Sequence, residues 1–292
     1  MSIRSFGRLV RFLPKSGKNI LIGEPTDANL DVGTATLAGR EIEINVFSGS
    51  SVLSPGTSTG KREVLDKVLS PLAESEVGTI RCIGLNYVQH AREAKMDLPT
   101  VPVLFTKPST ALADPFPAPT VIPRHTLQDD TCDYESELVI VIGKKAKNVS
   151  EAEALDYVLG YTAANDVSSR TSQFAQSQWS YSKGFDGACP IGPVLVSKEL
   201  IPDVSKLHLR GLKNGRVLQD CGLDDLIFSV PKIVSFLSQG TTLKPGTIIL
   251  TGTPAGVGFG CSPKEYLHDG DQFAVEILPY IGTLVTKFEA EK

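Results

Sequence analysis

The sequence has few cysteines and no long apolar run, and each shortage excludes a class of protein. Five cysteines are an odd number, no two form a CxxC pair, and no apolar signal segment begins the chain, so we expect free thiols in a reducing compartment. No apolar run approaches the roughly 18 residues that span a membrane, so we expect a soluble protein. No repeat of 20 to 50 residues is visible, which argues against a solenoid or a propeller.

An excess of positive charge is also missing. Lys and Arg total 29 against 33 Asp and Glu, which leaves a net charge of −4. Without a broad basic field, neither nucleic acid nor a membrane surface is expected as a partner. The chain has 41% hydrophobic and 21% charged residues, and its 292 residues suffice for one large domain or two smaller ones.

The N-terminal residues allow two interpretations. The first 23 residues contain five basic side chains and no acid before Glu24, the charge pattern of a mitochondrial presequence. The β-forming run 8–13, which Pro14 follows, instead predicts a strand, and we favour the strand. A cytoplasmic location is therefore expected, with a mitochondrial one as the alternative.

Short β-rich runs separated by Gly and Pro dominate the sequence, while helical spacing is rare. Strands do not alternate regularly with helices, so we expect an α+β, mainly β fold with mixed, chiefly antiparallel pairing rather than a doubly wound sheet. The Ser/Thr/Gly-rich stretch 48–61 predicts a loop and divides the chain into a small N-terminal subdomain (1–75) and a larger domain (76–292). The candidate helices are 87–95, 151–158, 167–177 and 230–238.

Two glutamates begin the most apolar run of the chain. Glu135 and Glu137 precede Leu138 to Ile142, and on a strand they project from one face with Cα atoms about 7 Å apart. Two carboxylates that lose water beside an apolar strand repel each other, and a hard cation removes that cost. The alternative is a solvated acidic edge, which Asp129 and Asp130 just upstream support.

A third carboxylate, Asp166, ends the strand-like run 160–166 and stands where a helix is predicted to begin. Ligands are often presented at strand ends, although Asp is also an ordinary helix N-cap. Three oxygen donors without Cys or His at ligand spacing favour Mg²⁺, Mn²⁺ or Ca²⁺ over zinc.

His90 and Glu93 are three residues apart, which places them on one face of a helix. The carboxylate could orient and stabilise the imidazole as an acid/base unit, although a surface His/Glu pair is the commoner arrangement.

The stretch 252–258 is rich in glycine and follows a strand, but no helix follows it, so it predicts a close-approach loop rather than a dinucleotide site. Residues 56–61 match a nucleophile elbow and a phosphate loop only superficially, and we interpret them as a loop.

Six spaced motifs together resemble the fumarylacetoacetate hydrolase superfamily. The match runs from about residue 78 to the end, and the preceding residues resemble the N-terminal domain of its longer members, such as the domain-containing type 2 proteins. The motifs are CIGLNY (82–87) with His90 and Glu93, LFTKP (104–108), DYESEL (133–138) with Asn165 and Asp166, KGFD (183–186), PIGP (190–193) and TGTP (251–254).

The resemblance implies a β-roll or β-sandwich catalytic domain, a homodimer and one Mg²⁺ or Mn²⁺ ion, with Ca²⁺ able to substitute in vitro. Glu135, Glu137 and Asp166 are the implied metal ligands, and Lys183 is the implied cation that steadies an enolate. His90 and Glu93 are the implied dyad on a lid segment. The implied pocket residues are Lys107, Arg170, Gln173 and Thr253.

The implied substrates are 2-oxo or 1,3-dicarbonyl acids. The leading expectation is a metal-dependent hydrolase that cleaves the C–C bond of an acylpyruvate or a fumarylacetoacetate-like dioxo acid. The alternatives are an oxaloacetate tautomerase or decarboxylase, a ring-cleavage isomerase or decarboxylase, and a metal-bound scaffold without activity. We expect loop residues such as 95–100 to set the choice of acyl group.

Overall fold

A computed structural model describes residues 6–292, and over that range strands outnumber helices, so the mainly β fold class is confirmed. The strands are β1 (Arg8–Pro14), β2 (Leu21–Pro25), β3 (Glu43–Phe47), β4 (Ser58–Leu69), β5 (Ile80–Gly84), β6 (Val103–Lys107), β7 (Leu112–Ala113), β8 (Pro119–Ile122), β9 (Cys132–Asp133), β10 (Ser136–Ile142), β11 (Val158–Asn165), β12 (Ser168–Ser169), β13 (Cys189–Ser197), β14 (His208–Lys213), β15 (Arg216–Gly222), β16 (Ile248–Leu250), β17 (Gln272–Leu278) and β18 (Gly282–Ala290). The α-helices are α1 (Val32–Leu37), α2 (Glu74–Val77), α3 (Val88–Glu93), α4 (Arg124–Asp129), α5 (Arg170–Phe174), α6 (Ser180–Lys183) and α7 (Val230–Ser238).

The strands form one large sheet, one five-stranded sheet and a small two-stranded pair. The large sheet has the order β2-β3-β4-β1-β13-β11-β10-β16-β5-β6, with β7 beside β13, and the second sheet has the order β15-β14-β17-β18-β8. Only β7 with β13, β5 with β16 and β8 with β18 pair in parallel among the described strands. The pairing is thus mixed and chiefly antiparallel, as the sequence predicts.

Strand β10 lies at the centre of the large sheet, between β11 and β16, and all of its residues are buried. Leu138, Ile140 and Ile142 pack into one hydrophobic core, while Val139 and Val141 pack into another on the opposite face. A continuous apolar run is what a strand covered on both faces requires. Burial of each such side chain stabilises the fold by about 1.5–3 kcal/mol, so the segment that carries Glu135 and Glu137 is firmly placed.

The N-terminal strands join the same large sheet through β1. Arg8 pairs with Val196 of β13, which confirms the strand predicted for this segment. Asp31 caps α1 and also accepts hydrogen bonds from the backbone and the hydroxyl of Thr283, at 3.2 and 2.7 Å. The domain boundary near residue 75 remains a prediction. The pairing of β1 with β13 shows that the segments before and after this boundary share backbone hydrogen bonding in one sheet.

Three local predictions were wrong. Instead of an α-helix over 151–158 there is a 3-10 helix at Ala154–Tyr157, because the chain then enters β11. The helix predicted from Val167 begins only at Arg170 with Ser169 as N-cap, since Ser168–Ser169 pair with β9, so Asp166 is not a cap. Residues 58–61 of the predicted loop belong to β4.

Helix α7 spans the predicted residues, with the Ser229 side chain accepting a hydrogen bond from the Lys232 backbone and Pro231 in its first turn. No helix within residues 6–292 is both long and apolar enough to span a membrane.

Candidate active site

A cavity of about 280 Å³ opens beside the end of β10, and most of the predicted site residues line it. Three further predicted residues, Lys107, Glu137 and Asp166, are buried and do not line the cavity. The predicted residues on its wall are His90, Glu93, Glu135, Arg170, Gln173, Lys183 and Thr253.

The three predicted carboxylates converge because β10 and β11 pair in a particular register. Ser136 lies opposite Asn165, so Asp166 follows the end of β11 at the point where Glu135 precedes β10. The Asp166 backbone N–H donates to the Glu135 carbonyl at 2.8 Å. One carboxylate oxygen each from Glu135, Glu137 and Asp166 lies within 4.8 Å of the others, and all three residues are buried.

Two lysines flank Asp166. Lys183 Nζ lies 2.8 Å from Glu135 Oε2 and 2.9 Å from Asp166 Oδ2, and Lys107 Nζ lies 2.5 Å from Asp166 Oδ1. Burial lowers the pKa of each lysine, but the charge of Asp166 and the further anionic and hydrogen-bonding partners of each ammonium together outweigh burial, so both pKa values are raised above the ordinary value. Both ammonium groups are therefore charged at neutral pH.

Glu137 differs from its neighbours because no cation within residues 6–292 forms an ion pair with it. Its carboxylate accepts a hydrogen bond of 2.5 Å from the Gly252 backbone N–H. Burial, together with the charges of Asp166 and Glu135, holds the pKa of Glu137 well above its ordinary value. Burial also raises the pKa of Glu135, but Lys183 and Arg170 overcome that effect and bring it to about 2.

A divalent cation fits this donor set. Three carboxylates without a thiolate or an imidazole are the ligands preferred by Mg²⁺, Mn²⁺ and Ca²⁺. The cation would balance the charge of Glu137, which has no ion-pair partner among the described residues. Glu135 and Asp166 already form ion pairs with lysines.

Lys107, predicted as a pocket residue, lies behind Asp166 and is fully buried. Its ammonium also donates to the Ala188 carbonyl at 2.6 Å. This position favours a role in orienting Asp166. Contact with a substrate remains a prediction for this side chain.

Sequence reasoning missed Asp133, which positions Arg170. The Asp133 carboxylate accepts from Arg170 Nε at 2.7 Å and from the backbone N–H groups of Gly258 and Phe259 at 2.8 and 2.9 Å. Arg170 Nη1 in turn lies 2.7 Å from Glu135 Oε1 and 2.8 Å from Gln173 Oε1. The sequence does contain a signal for this residue, because Asp133, Glu135 and Glu137 are acidic residues at every second position.

The loop that follows β16 brings backbone close to the carboxylates. Gly252 adopts φ +97°, and a Cβ there would lie 2.9 Å from Asn86 Cβ, so only glycine fits. The Thr253 hydroxyl accepts a hydrogen bond of 2.7 Å from Gln219 Nε2, another buried residue that the sequence did not reveal.

The predicted dyad is formed on α3. His90 Nδ1 lies 2.9 Å from Glu93 Oε2, and the two side chains are 17% and 22% exposed. Glu93 Oε1 accepts a 2.9 Å hydrogen bond from the Gly256 backbone N–H, which connects the helix to the loop after β16. When Nδ1 donates to this carboxylate, Nε2 is the nitrogen that can accept a proton.

Apolar side chains that the sequence did not single out complete the cavity. Met96 lies in the stretch 95–100 expected to choose the acyl group. The aromatic side chains on the wall are Phe105, Phe174, Trp179 and Phe259.

Comparisons with known proteins agree with these motifs. The model of the fumarylacetoacetate (FAA) hydrolase C-terminal family matches residues 79–289. Caffeoylpyruvate hydrolase of Neonothopanus nambi is 45% identical over 99% of this chain and 95% of its own length. The human mitochondrial oxaloacetate tautomerase FAHD2A is 36% identical, over 94% of this chain and 80% of its own length.

The crystal structure of 2-hydroxyhepta-2,4-diene-1,7-dioate isomerase from Mycobacterium marinum superimposes with a TM-score of 0.79 at 32% identity, covering 98% of this chain and 99% of that one. Divalent metals are common in this family, and the buried acidic triad could bind one. Hydrolases, tautomerases and isomerases among the relatives make the protein an enzyme rather than an inactive scaffold. The chain belongs to the fumarylacetoacetate hydrolase family.

Proposed function

We propose that the protein is a divalent-metal-dependent hydrolase that cleaves the C–C bond of 2,4-dioxo acids of the acylpyruvate or fumarylacetoacetate type. The observation that carries the proposal is one cavity lined both by the His90/Glu93 pair and by Glu135 and Lys183. A base for water and a cation for a developing enolate thus face the same space. The caffeoylpyruvate hydrolase named among the relatives supports this reaction class.

Glu135, Glu137 and Asp166 would hold the Mg²⁺ or Mn²⁺ ion. When bound, the ion supplies Lewis acidity and a template for the neighbouring oxygens of the substrate. Lys183 places its ammonium beside the same carboxylates, where it stabilises negative charge on an enolate oxygen. Arg170 and Gln173 lie on the wall, where they can orient the substrate's carboxylate.

His90 is the proposed base, with Nε2 taking a proton from water while Glu93 stabilises the resulting imidazolium. The hydroxyl oxygen forms a bond to C4 of the dioxo acid, and the C3–C4 bond breaks with its electron pair passing to the C2 enolate. The imidazolium of His90 returns its proton to C3, which gives pyruvate, and the acyl group leaves as a carboxylic acid that releases its proton to water. One water is consumed, so the atoms balance.

The direct test is a substrate panel of acetylpyruvate, fumarylpyruvate, fumarylacetoacetate and oxaloacetate, assayed with Mg²⁺ or Mn²⁺ and with a chelator. We expect cleavage of at least one dioxo acid, with pyruvate or acetoacetate as product and loss of activity in chelator. Cleavage that is unchanged after complete metal removal would contradict the proposal.

Oxaloacetate tautomerisation or decarboxylation is the second candidate, because a relative that covers 94% of the chain is named an oxaloacetate tautomerase. Ring-cleavage isomerisation is a third, supported by the isomerase structure. All three reactions pass through an enolate and need the same cations. They are distinguished by product: pyruvate and carbon dioxide for decarboxylation, keto-oxaloacetate for tautomerisation, and an isomerised dienoate for the third.

We also propose a homodimer, on the strength of the family resemblance. Sedimentation of the purified chain at several concentrations tests it, and a single species of monomer mass throughout would contradict it.

A further inference from the structure

The cavity wall has a charged part and an aromatic part. Two aromatic pairs line it. The inner pair is Phe105 with Trp179, whose rings meet edge to face with centroids 5.7 Å apart, and the outer pair is Phe174 with Phe259, at 4.7 Å. The Phe105 centroid lies 5.2 Å from Lys183 Nζ, so the inner pair begins where the charged groups end.

The inner pair is held in place by the backbone. A Cβ at Gly84 would lie 2.3 Å from a ring atom of Trp179, so the indole packs directly on the glycine at the end of β5. The outer pair is more accessible, since Phe174 is 62% and Phe259 39% exposed. Large exposed apolar side chains that line a cavity indicate contact with an apolar ligand.

The charges on the wall argue against a second acidic group on the substrate. Within residues 6–292, Arg170 and Lys183 are the lysine and arginine side chains on the wall, and both form ion pairs with Glu135. Glu93 adds a carboxylate. Lys264 lies 4.2 Å from the Phe259 centroid but does not line the cavity. A carboxylate at the aromatic end of the cavity would thus meet no lysine or arginine of the wall that is free of Glu135.

We propose that the acyl substituent of the substrate is an uncharged aryl group that packs against the inner and outer aromatic pairs. This rests on the dioxo acid hydrolase function proposed above. Aromatic rings gain from edge-to-face and offset contacts in addition to the area that they bury. A cavity of about 150 Å³ suffices for benzene, so 280 Å³ accommodates a ring together with a short dioxo acid.

The experiment compares kcat/KM of the full chain with Mg²⁺ for three dioxo acids that differ only in the acyl group: benzoylpyruvate, acetylpyruvate and fumarylpyruvate. Burial of a phenyl ring in place of a methyl group predicts a value about 10- to 100-fold higher for benzoylpyruvate than for acetylpyruvate. Fumarylpyruvate, with its second carboxylate, is expected to be the poorest substrate.

Phe174→Ala tests the outer pair in a residue too exposed to be needed for folding. It should lower kcat/KM for benzoylpyruvate by about 5- to 10-fold, mainly through KM, while acetylpyruvate changes less than about twofold. Trp179→Ala should have the same selective effect at the inner pair. Tyr181→Ala is the matched control, because Tyr181 is 59% exposed and does not line the cavity.

Equal or better turnover of acetylpyruvate or fumarylpyruvate would overturn the inference and leave the hydrolase function intact. So would equal losses for all three substrates in Phe174→Ala and Trp179→Ala. A preference for fumarylpyruvate that disappears in Lys264→Ala would assign a distal carboxylate to Lys264 instead. Absence of cleavage of all three acids and of fumarylacetoacetate would overturn the proposed function itself.

Discussion

The carboxylate floor (Glu135, Glu137 and Asp166) and the dyad helix α3 line or adjoin one cavity, yet they are held very differently. The floor is buried at the centre of the large sheet, and Asp166 has two lysine partners. Helix α3 has six residues, and its N-cap Tyr87 makes no side-chain capping hydrogen bond. The Glu93 side chain is tied to the rest of the chain by the Gly256 N–H.

This difference means that the floor is held by the central sheet and by buried ion pairs, while the dyad side chains are held by hydrogen bonds at partly exposed positions. Changes at the ion-paired Glu135 and Asp166 of the floor should affect both stability and activity, because buried charges are expensive to leave without partners. Changes of the partly exposed His90 and Glu93 side chains should affect activity with little cost in stability. Substitutions in the two regions can therefore separate the two effects.

The largest effect is expected for Asp166→Asn, which removes the charge that Lys107 and Lys183 share. Breaking a buried ion pair from one side costs about 3–5 kcal/mol of unfolding free energy. Loss of a proposed metal ligand should also reduce kcat/KM by about 10³-fold or more. Denaturant unfolding and activity assays measure the two changes, with the exposed Asp203→Asn as control. An unchanged unfolding free energy would contradict this description of the floor.

Glu137→Gln compares an unpaired carboxylate of the floor with the ion-paired Asp166. Glu137 has no ion-pair partner among the described residues. Activity should again fall by about 10³-fold. The unfolding free energy of the metal-free protein should not decrease, since a neutral amide replaces a carboxylate that is buried without a cation. The stabilisation by added Mg²⁺ or Mn²⁺, measured as a shift in Tm, should be lost. A variant that keeps the wild-type shift would remove Glu137 from the ligand set.

His90→Ala and Glu93→Gln test the dyad. Loss of a general base typically costs about 10²- to 10⁴-fold in rate, so acylpyruvate cleavage should fall by that factor. The metal-induced shift in Tm should stay at the wild-type value, because neither residue belongs to the acidic triad.

Oxaloacetate decarboxylation by the same His90→Ala preparation should decrease much less, since it needs an electron sink more than a base. Lys183→Met is the counterpart and should damage every activity. Undiminished acylpyruvate cleavage in His90→Ala would show that the base lies elsewhere.

The smallest effect is expected for Gly260→Ala, whose Cβ would lie 2.7 Å from the Glu93 carboxylate. The flexible Glu93 side chain can move away, so we expect a loss in kcat of less than about tenfold and no change in Tm. Gly17→Ala, where a Cβ would contact nothing within 4 Å, is the control. A loss as large as that of Glu93→Gln would mean that the contact with the loop is essential for the dyad.

Local patterns were enough for several elements. The apolar run that follows Glu137 predicts the central strand, and Ser229 with Pro231 predicts the start of α7. Local patterns failed at residues 151–158, where the chain enters β11 after only a 3-10 helix. They also failed at residues 167–177, where the pairing of β12 with β9 delays the start of the helix. Pairing partners lie far away along the chain, so a local pattern does not reveal them.

The sequence by itself determined the mainly β class, the alternation of Glu135 with Glu137 and the three-residue spacing of His90 and Glu93. Each of these features depends on the fixed side-chain period of a single strand or helix, which adjacent residues encode. Only the tertiary structure decided that Asp166 completes the triad through the β10/β11 register and that Lys107 lies behind it. The aromatic wall likewise joins side chains from separate elements. Distances between such groups are set by packing and strand pairing, which adjacent residues do not encode.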